Sequence, residues 1–258
     1  MKIVVLLKEV PDTYGDRKLS LETGVADRGA SEAVLDEIGE RALEVALTHA
    51  DAHEGTEIVV LTMGPESAAA ALRKGLSMGA DSAVHVHDAG LAGADLGTTA
   101  RALAAAIRRI EPDAVLAGNL STDGSGGVMA SMLAELLGMP SLTSLASVEF
   151  SDGAVSGRRQ VEGGSASVSA PLPAVLSITE ALRDARFPNF KGIMAAKKKP
   201  LETWTLAELG VDGAQAEVSR SIVIGIAERP PRAAGVKIVD EGDAAEQLAD
   251  FLVSNRLA

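Results

Sequence analysis

Four short aliphatic runs punctuate the first half of the chain: KIVVLLKEV from Lys2, TEIVVLTMG from Thr56, SAVHVHD from Ser82 and DAVLAGN from Asp113. Each is rich in β-branched residues and predicts a strand. Between them, apolar positions recur at helical spacing over about 32–52, 66–78 and 96–110. In the last of these, Leu103, Ala106, Ile107 and Ile110 share one face, and Pro112 stops the helix. Strands alternating with helices predict βαβ units and a parallel sheet. Near-continuous apolar strands fit a sheet covered on both faces. The expected fold is α/β and Rossmann-like: a mostly parallel sheet with helices on both faces. Ligands in such sheets bind outside the carboxyl ends of the strands.

From about residue 145 the pattern changes. LASVEFSDGAVSGRRQVEGGSASVSAPLPAVLSIT has short alternating runs broken at SDG and EGG, which predicts an antiparallel hairpin and a further strand, AVLSIT. A loop, RDARFPNFKGIM, then leads into the basic cluster Lys197-Lys198-Lys199, and WTLAELGV reads as a short helical turn. The tail contains the Pro230-Pro231 break. It closes with an amphipathic helix from about Asp243 to Leu257, with Ala244, Leu248, Phe251 and Leu252 at helical spacing. Two regions are expected: a nucleotide-binding α/β domain over 1–199, and an extended C-terminal arm with its helix over 200–258.

Composition narrows the function. Apolar residues make up 47% of the 258, but only one Trp, one Tyr and four Phe are present, so the core must be aliphatic. The net charge of −12 argues against nucleic acid as a partner, because phosphate contacts need clustered Lys and Arg. No cysteine is present, which excludes disulfides, thiolate chemistry and Fe–S ligation. The four histidines lack zinc spacing, and His85 and His87 alternate as along a strand, so structural roles are expected. No run reaches membrane-spanning length and KIVVLL lacks a signal-peptide cleavage site, which together predict a cytoplasmic protein. No G-x-S-x-G elbow, H-E-x-x-H or paired carboxylates in a catalytic frame occur.

The richest stretch is LAGNLSTDGSGGVM, residues 116 to 129. It follows the fourth predicted strand and opens an apolar, helix-like run, without one Lys or Arg. It lacks the Walker pattern and the G-x-G-x-x-G spacing. Read from its residues, it is either a nest of bare backbone N–H groups at a helix start, suited to an anion, or a tight turn that binds nothing.

Several stretches in order, namely VVLLKEVPDT, AVLDEIGERALEVAL, TMGPESAAAALRKGLSMGAD, AGNLSTDGSGGVMASMLAELLGMP, LPAVLSITEALRDARFPNFKGIMAAKKKPLE and PPRAAGVKI, resemble the β subunit of electron transfer flavoprotein, especially its actinobacterial form. The resemblance spans essentially the whole chain. It implies a heterodimer with an α subunit, a structural AMP in the β subunit and an FAD held mainly by the α subunit. It also implies electrons taken from acyl-CoA and related dehydrogenases and passed to a membrane quinone oxidoreductase. The β subunit would then have no catalytic site of its own.

Residue by residue, the resemblance implies adenine contact through the Leu6 backbone. The stretch Asp36, Glu37, Ile38 and Gly39 would flank base and ribose, and Met63 would lie beside the nucleotide. Asn119, Leu120, Ser121, Thr122, Asp123, Gly124, Ser125, Gly126, Gly127, Val128 and Met129 would wrap the phosphate. Many relatives have Gln where Val128 stands, Thr or Val at Met129, and Glu at Gln160, near the flavin. Thr13 and Tyr14 match a position that reaches the flavin in some relatives; a plain surface aromatic is the other reading of Tyr14. RFPNFKGIM matches the loop that docks partner dehydrogenases. Phe190 would be its exposed anchor, followed by Lys191, Gly192, Ile193 and Met194, while Phe187 is expected to pack inward. The alternatives are a β subunit that binds a second FAD and splits electron pairs, and a stand-alone adenine-nucleotide-binding protein.

Overall fold

The computed structural model describes residues 1–15, 18–211, 221–232 and 234–257. Its compact units are Met1–Ile224 and Gly225–Ala258. In the first unit the elements run β1 (Lys2–Leu6), β2 (Glu9–Pro11), β3 (Ala33–Leu35), α1 (Glu37–Ala52), β4 (Glu57–Met63), α2 (Ala69–Met78), β5 (Ser82–Val86), α3 (Leu96–Ile110), β6 (Ala114–Gly118) and α4 (Met129–Leu137). Then follow β7 (Ser141–Ser151), β8 (Ala154–Val161), β9 (Gly164–Pro171), β10 (Ala174–Ile178), α5 (Phe190–Ala196) and β11 (Leu201–Trp204).

The main sheet has nine strands in the order β11-β5-β4-β1-β6-β10-β7-β8-β9. From β11 to β7 every neighbouring pair is parallel. The pairs β7–β8 and β8–β9 are antiparallel. The expected hairpin is therefore present, as two arms of a meander that continues the sheet.

Alternation along the strands divides the apolar side chains between two faces. Ile3, Val5, Ile58, Val60, Leu116 and Leu176 pack with Leu43 and Leu47 of α1 and Leu72 and Leu76 of α2. Val4, Val59, Leu61, Val115 and Val175 pack with Leu103 and Ile107 of α3 and Leu133 of α4. Asp95 caps α3, its side chain accepting from the Thr98 N–H at 2.8 Å, and Glu111 ends the helix in the left-handed region just before Pro112.

The structure departs from the sequence expectations at several places. Residues 33–35, expected within the first helix, form a strand that pairs antiparallel with β2. Leu201–Trp204, expected outside the sheet, pairs with β5, and Trp204 is buried there under the Arg109 guanidinium. β11 thus lies within the stretch 200–258 expected as an arm. Of the expected arm, residues 212–220, 233 and 258 lie outside the described residues. Within Gly225–Ala258, the described chain holds one helix, Ala244–Ser254, inside the span expected for it. No helix among the described residues is long and apolar enough to cross a membrane.

Leu116 is fully buried at the centre of β6. Leu116→Ala should lower unfolding free energy by about 2–5 kcal/mol in chemical denaturation. A loss below about 1 kcal/mol would contradict its place in a close-packed layer.

Candidate functional site

The winding of the sheet reverses between β1 and β6. Outward from β1 on one side lie β4, β5 and β11; on the other lie β6, β10 and β7. Such a reversal opens a crevice at the carboxyl ends of the two central strands. The glycine loop, residues 119–128, leaves β6 at this crevice. Asn119 is tied to the neighbouring strand end, its N–H donating to the Ile178 carbonyl at 2.9 Å.

Three other segments lie at the same end of the sheet. Leu6 ends β1, in register with Leu61 of β4, and Met63 lies two residues further along β4. Asp36 precedes α1, and its Oδ2 accepts the Thr122 N–H at 3.0 Å. Ile38 seats on Gly118, where a Cβ would fall 2.4 Å from the Ile38 Cγ2, so only glycine fits at the strand end. Asp36 meets the loop at Thr122 and Ile38 meets Gly118 at its start, while Leu6 and Met63 end the strands β1 and β4 alongside; Glu37 begins α1 exposed to solvent.

The loop has no cation of its own, and the fold supplies two from elsewhere. Lys8 Nζ lies 2.7 Å from Asp123 Oδ1 and donates to the Ser121 hydroxyl at 3.2 Å. Arg28 lies 2.9 Å from Asp123 Oδ2. Lys8 follows the first apolar run and so falls at a strand end, a positional signal present in the sequence. Arg28 carries no such signal.

The two carboxyl groups respond in opposite directions. Burial raises Asp36, and Asp123's charge adds to this; the Thr122 and Ile38 N–H groups and Lys8 offset it in part. Its Oδ1 is buried and makes no hydrogen bond among the described residues. Burial also pushes the Asp123 carboxyl up. The hydrogen bonds from Lys8 and Ser121, the Lys8 charge and the Gly124 N–H outweigh that and hold it far below the usual carboxylate range.

Beyond Asp123 the loop turns twice through the left-handed region, at Ser125 (φ 48°) and Gly127 (φ 65°). The start of α4 carries no side-chain cap: Val128 stands at the N-cap, exposed. Among the described residues, the N–H groups of Gly126, Gly127, Val128 and Met129 find no acceptor. A Cβ at Gly127 would meet nothing nearer than the Asn119 carbonyl at 3.9 Å, so the space over this backbone is open. A row of uncommitted donors at a helix N-terminus suits an anion.

The other expected residues lie elsewhere. Phe190 is 79% exposed, and with Lys191, Gly192, Ile193 and Met194 it forms the start of α5, a helix where a loop was expected. Phe187, expected to pack inward, is instead 94% exposed. It follows Arg186, whose side chain is held on α1. Tyr14 is exposed, and Gln160 is exposed near the β8–β9 turn. His85 and His87 both hydrogen-bond the Gly64 carbonyl, at 3.1 and 3.0 Å. Burial holds His85 below its ordinary value.

The family model for the electron transfer flavoprotein domain matches residues 23–209. The chain is 46% identical to the electron transfer flavoprotein subunit beta of Mycobacterium tuberculosis, over 99% of this chain and 98% of the relative. It is 47% identical to the protein of that name from Mycobacterium leprae, with the same coverage. It is also 33% identical to the caffeyl-CoA reductase-Etf complex subunit CarD of Acetobacterium woodii, over 98% of this chain and 97% of the relative.

Because Asp123 is depressed in the folded chain, its contribution to stability is present above the ordinary aspartate value of 3.8 and is lost as pH falls below it. Asp123→Asn should therefore cost about 1–2 kcal/mol at pH 7, discounted because Lys8 and Arg28 reach solvent. The difference between the variants should shrink as melts are repeated from pH 7 towards pH 3. A difference that grows on acidification would contradict the assigned pairing.

Proposed function

The chain belongs to the electron transfer flavoprotein β-subunit family, and on that premise we propose that it binds a structural AMP, pairs with an α subunit and docks the dehydrogenases that donate electrons. The observation that carries the AMP reading is the open row of N–H donors from Gly126 to Met129 at the reversal of the sheet. The phosphate would lie over that row, with Lys8 and Arg28 near by through Asp123. Leu6, Asp36–Gly39 and Met63 would flank the base and ribose. The free Asp36 oxygen offers an acceptor to a hydroxyl or amino group of the ligand. Val128 contributes only its backbone N–H, so loss of the Gln found there in many relatives leaves this donor in place.

FAD, bound mainly to the α subunit, supplies the redox chemistry. This chain's part is to enclose it, to hold the nucleotide that braces the cleft, and to present a surface to electron donors. No residue of the chain is assigned a catalytic step, and its compartment is taken to be the cytoplasm. Electrons would come from acyl-CoA and related dehydrogenases and pass to a membrane quinone oxidoreductase. Exposed Phe190, beside Lys191 and the basic run from Lys197 to Lys199, supports the docking surface. The helix Ala244–Ser254, with its apolar stripe, would pack on the α subunit.

Mass spectrometry of a heat extract from the heterodimer should yield one AMP and one FAD. Two flavins, or intact ATP, would overturn the AMP assignment. Gly127→Val puts a β-branched residue at positive φ, a strain of about 1–3 kcal/mol, and fills the space above the donors. It should abolish nucleotide retention.

Phe190→Ala should weaken dehydrogenase-coupled flavin reduction roughly thirtyfold, the equivalent of about 2 kcal/mol at a buried interface anchor. Melting temperature and AMP content should stay near wild type, because the side chain is mostly in solvent. A large stability loss with unchanged coupling would instead make Phe190 a core residue.

A further inference from the structure

Helix α1 carries Arg41, Glu44, Thr48 and Asp51 at spacings of three and four, so they form one stripe along the helix. All four meet a single coil segment, 182–186. Arg41 donates to the Leu182 carbonyl and pairs with Asp184. Arg183 donates to the Thr48 hydroxyl and lies 3.1 Å from Glu44. Arg186 holds Glu44 at three points: its backbone N–H donates to Oε2 at 3.1 Å, its Nε to Oε2 at 2.7 Å, and its terminal nitrogen to Oε1 at 3.0 Å. It also reaches Asp51 at 2.8 Å.

Glu44 is the centre of this arrangement, with its side chain only 6% exposed. A carboxylate so placed is stable only when paired. Burial pushes its pKa up, but the hydrogen bonds and charges of Arg186 and Arg183 outweigh that and hold it below the usual range. Just beyond the clamp comes Phe187, almost wholly in solvent and so not placed by packing. A second fixed point follows. Asn189 caps α5 through the Gly192 N–H at 2.8 Å, and Gly192 lies so close to the Ser77 carbonyl that a Cβ would approach it to 2.4 Å.

We propose that Glu44 is the positioning residue for the aromatic pair Phe187 and Phe190. By fixing Arg186 on α1 it sets one end of the short span that carries Phe187, while α5 sets the other. A contact already held in place loses less conformational freedom on docking. The partner side of this inference rests on the proposed docking role of Phe190; the ordering of the segment does not.

The test uses the full chain purified with its α-subunit partner. Glu44→Gln removes the charge, and Arg186→Lys keeps the charge but loses the fork that grips both oxygens. In both variants amide exchange across 182–189 should accelerate about tenfold or more, the equivalent of one charge-assisted hydrogen bond, while β1, β4 and β6 stay protected. KM for the electron-donating dehydrogenase should rise with kcat unchanged. In a background that already carries Phe187→Ala and Phe190→Ala, Glu44→Gln should raise KM no further. Faster local exchange with unchanged KM would uphold the positioning role and overturn the docking role of the aromatics. Unchanged exchange in both variants, or acceleration spread evenly through the sheet, would overturn the proposal.

Discussion

Where β1 and β6 lie side by side, the helices that follow them depart to opposite faces of the sheet. Two carboxyl ends are left with no helix across them, and the crevice must be closed by something other than regular packing. Here the closure is polar. Asp36 caps the loop backbone at Thr122, and Asp123 draws in Lys8 and Arg28 from far along the chain. Among the described residues, the N–H groups from Gly126 to Met129 are left without acceptors. The candidate site is thus a row of loop and helix-start donors that topology places at the reversal of the sheet.

Helix α1 is the element that ties this gap to the rest of the surface. Its amino end holds the glycine loop through Asp36, and its outer stripe holds the chain ahead of α5 through Glu44. The inner stripe of Leu43, Ala46 and Leu47 is buried against the sheet, so neither attachment can shift without disturbing the core.

Much of this could be read from the sequence, for physical reasons. Continuous apolar strands and amphipathic helices are local patterns, so β1, β4, β5 and β6 and the helix over 96–110 fell where hydrophobic spacing put them. The glycines of SDG and EGG likewise marked the two turns of the meander. What local pattern could not show is contact across distance. Arg28 meets Asp123 across 95 intervening steps of chain, and nothing around Arg28 announces it. The strand Leu201–Trp204 is polar at its centre because it is an edge strand, and so it lacked an apolar run to betray it. Phe187 was expected inside, beside an exposed Phe190. Its neighbour Arg186 is held on α1 by Glu44, a contact across 142 positions that no local pattern shows, and the ring lies in solvent.

The place of β10 bears on how the molecule is made. It lies between β6 and β7 and pairs in parallel with both, so it joins strands that precede it by long stretches of sequence. Closing loops of that length costs entropy before any pairing returns it, which makes such contacts slow to form. The Ile178 carbonyl at the end of β10 is also what anchors Asn119, the first residue of the glycine loop. On the ribosome, residues 119–129 emerge well before β10 does. The loop can therefore be synthesised early yet reach its final shape only when the sixth strand of the order, β10, inserts, and a nucleotide able to hold the loop would bind only after that strand is in place.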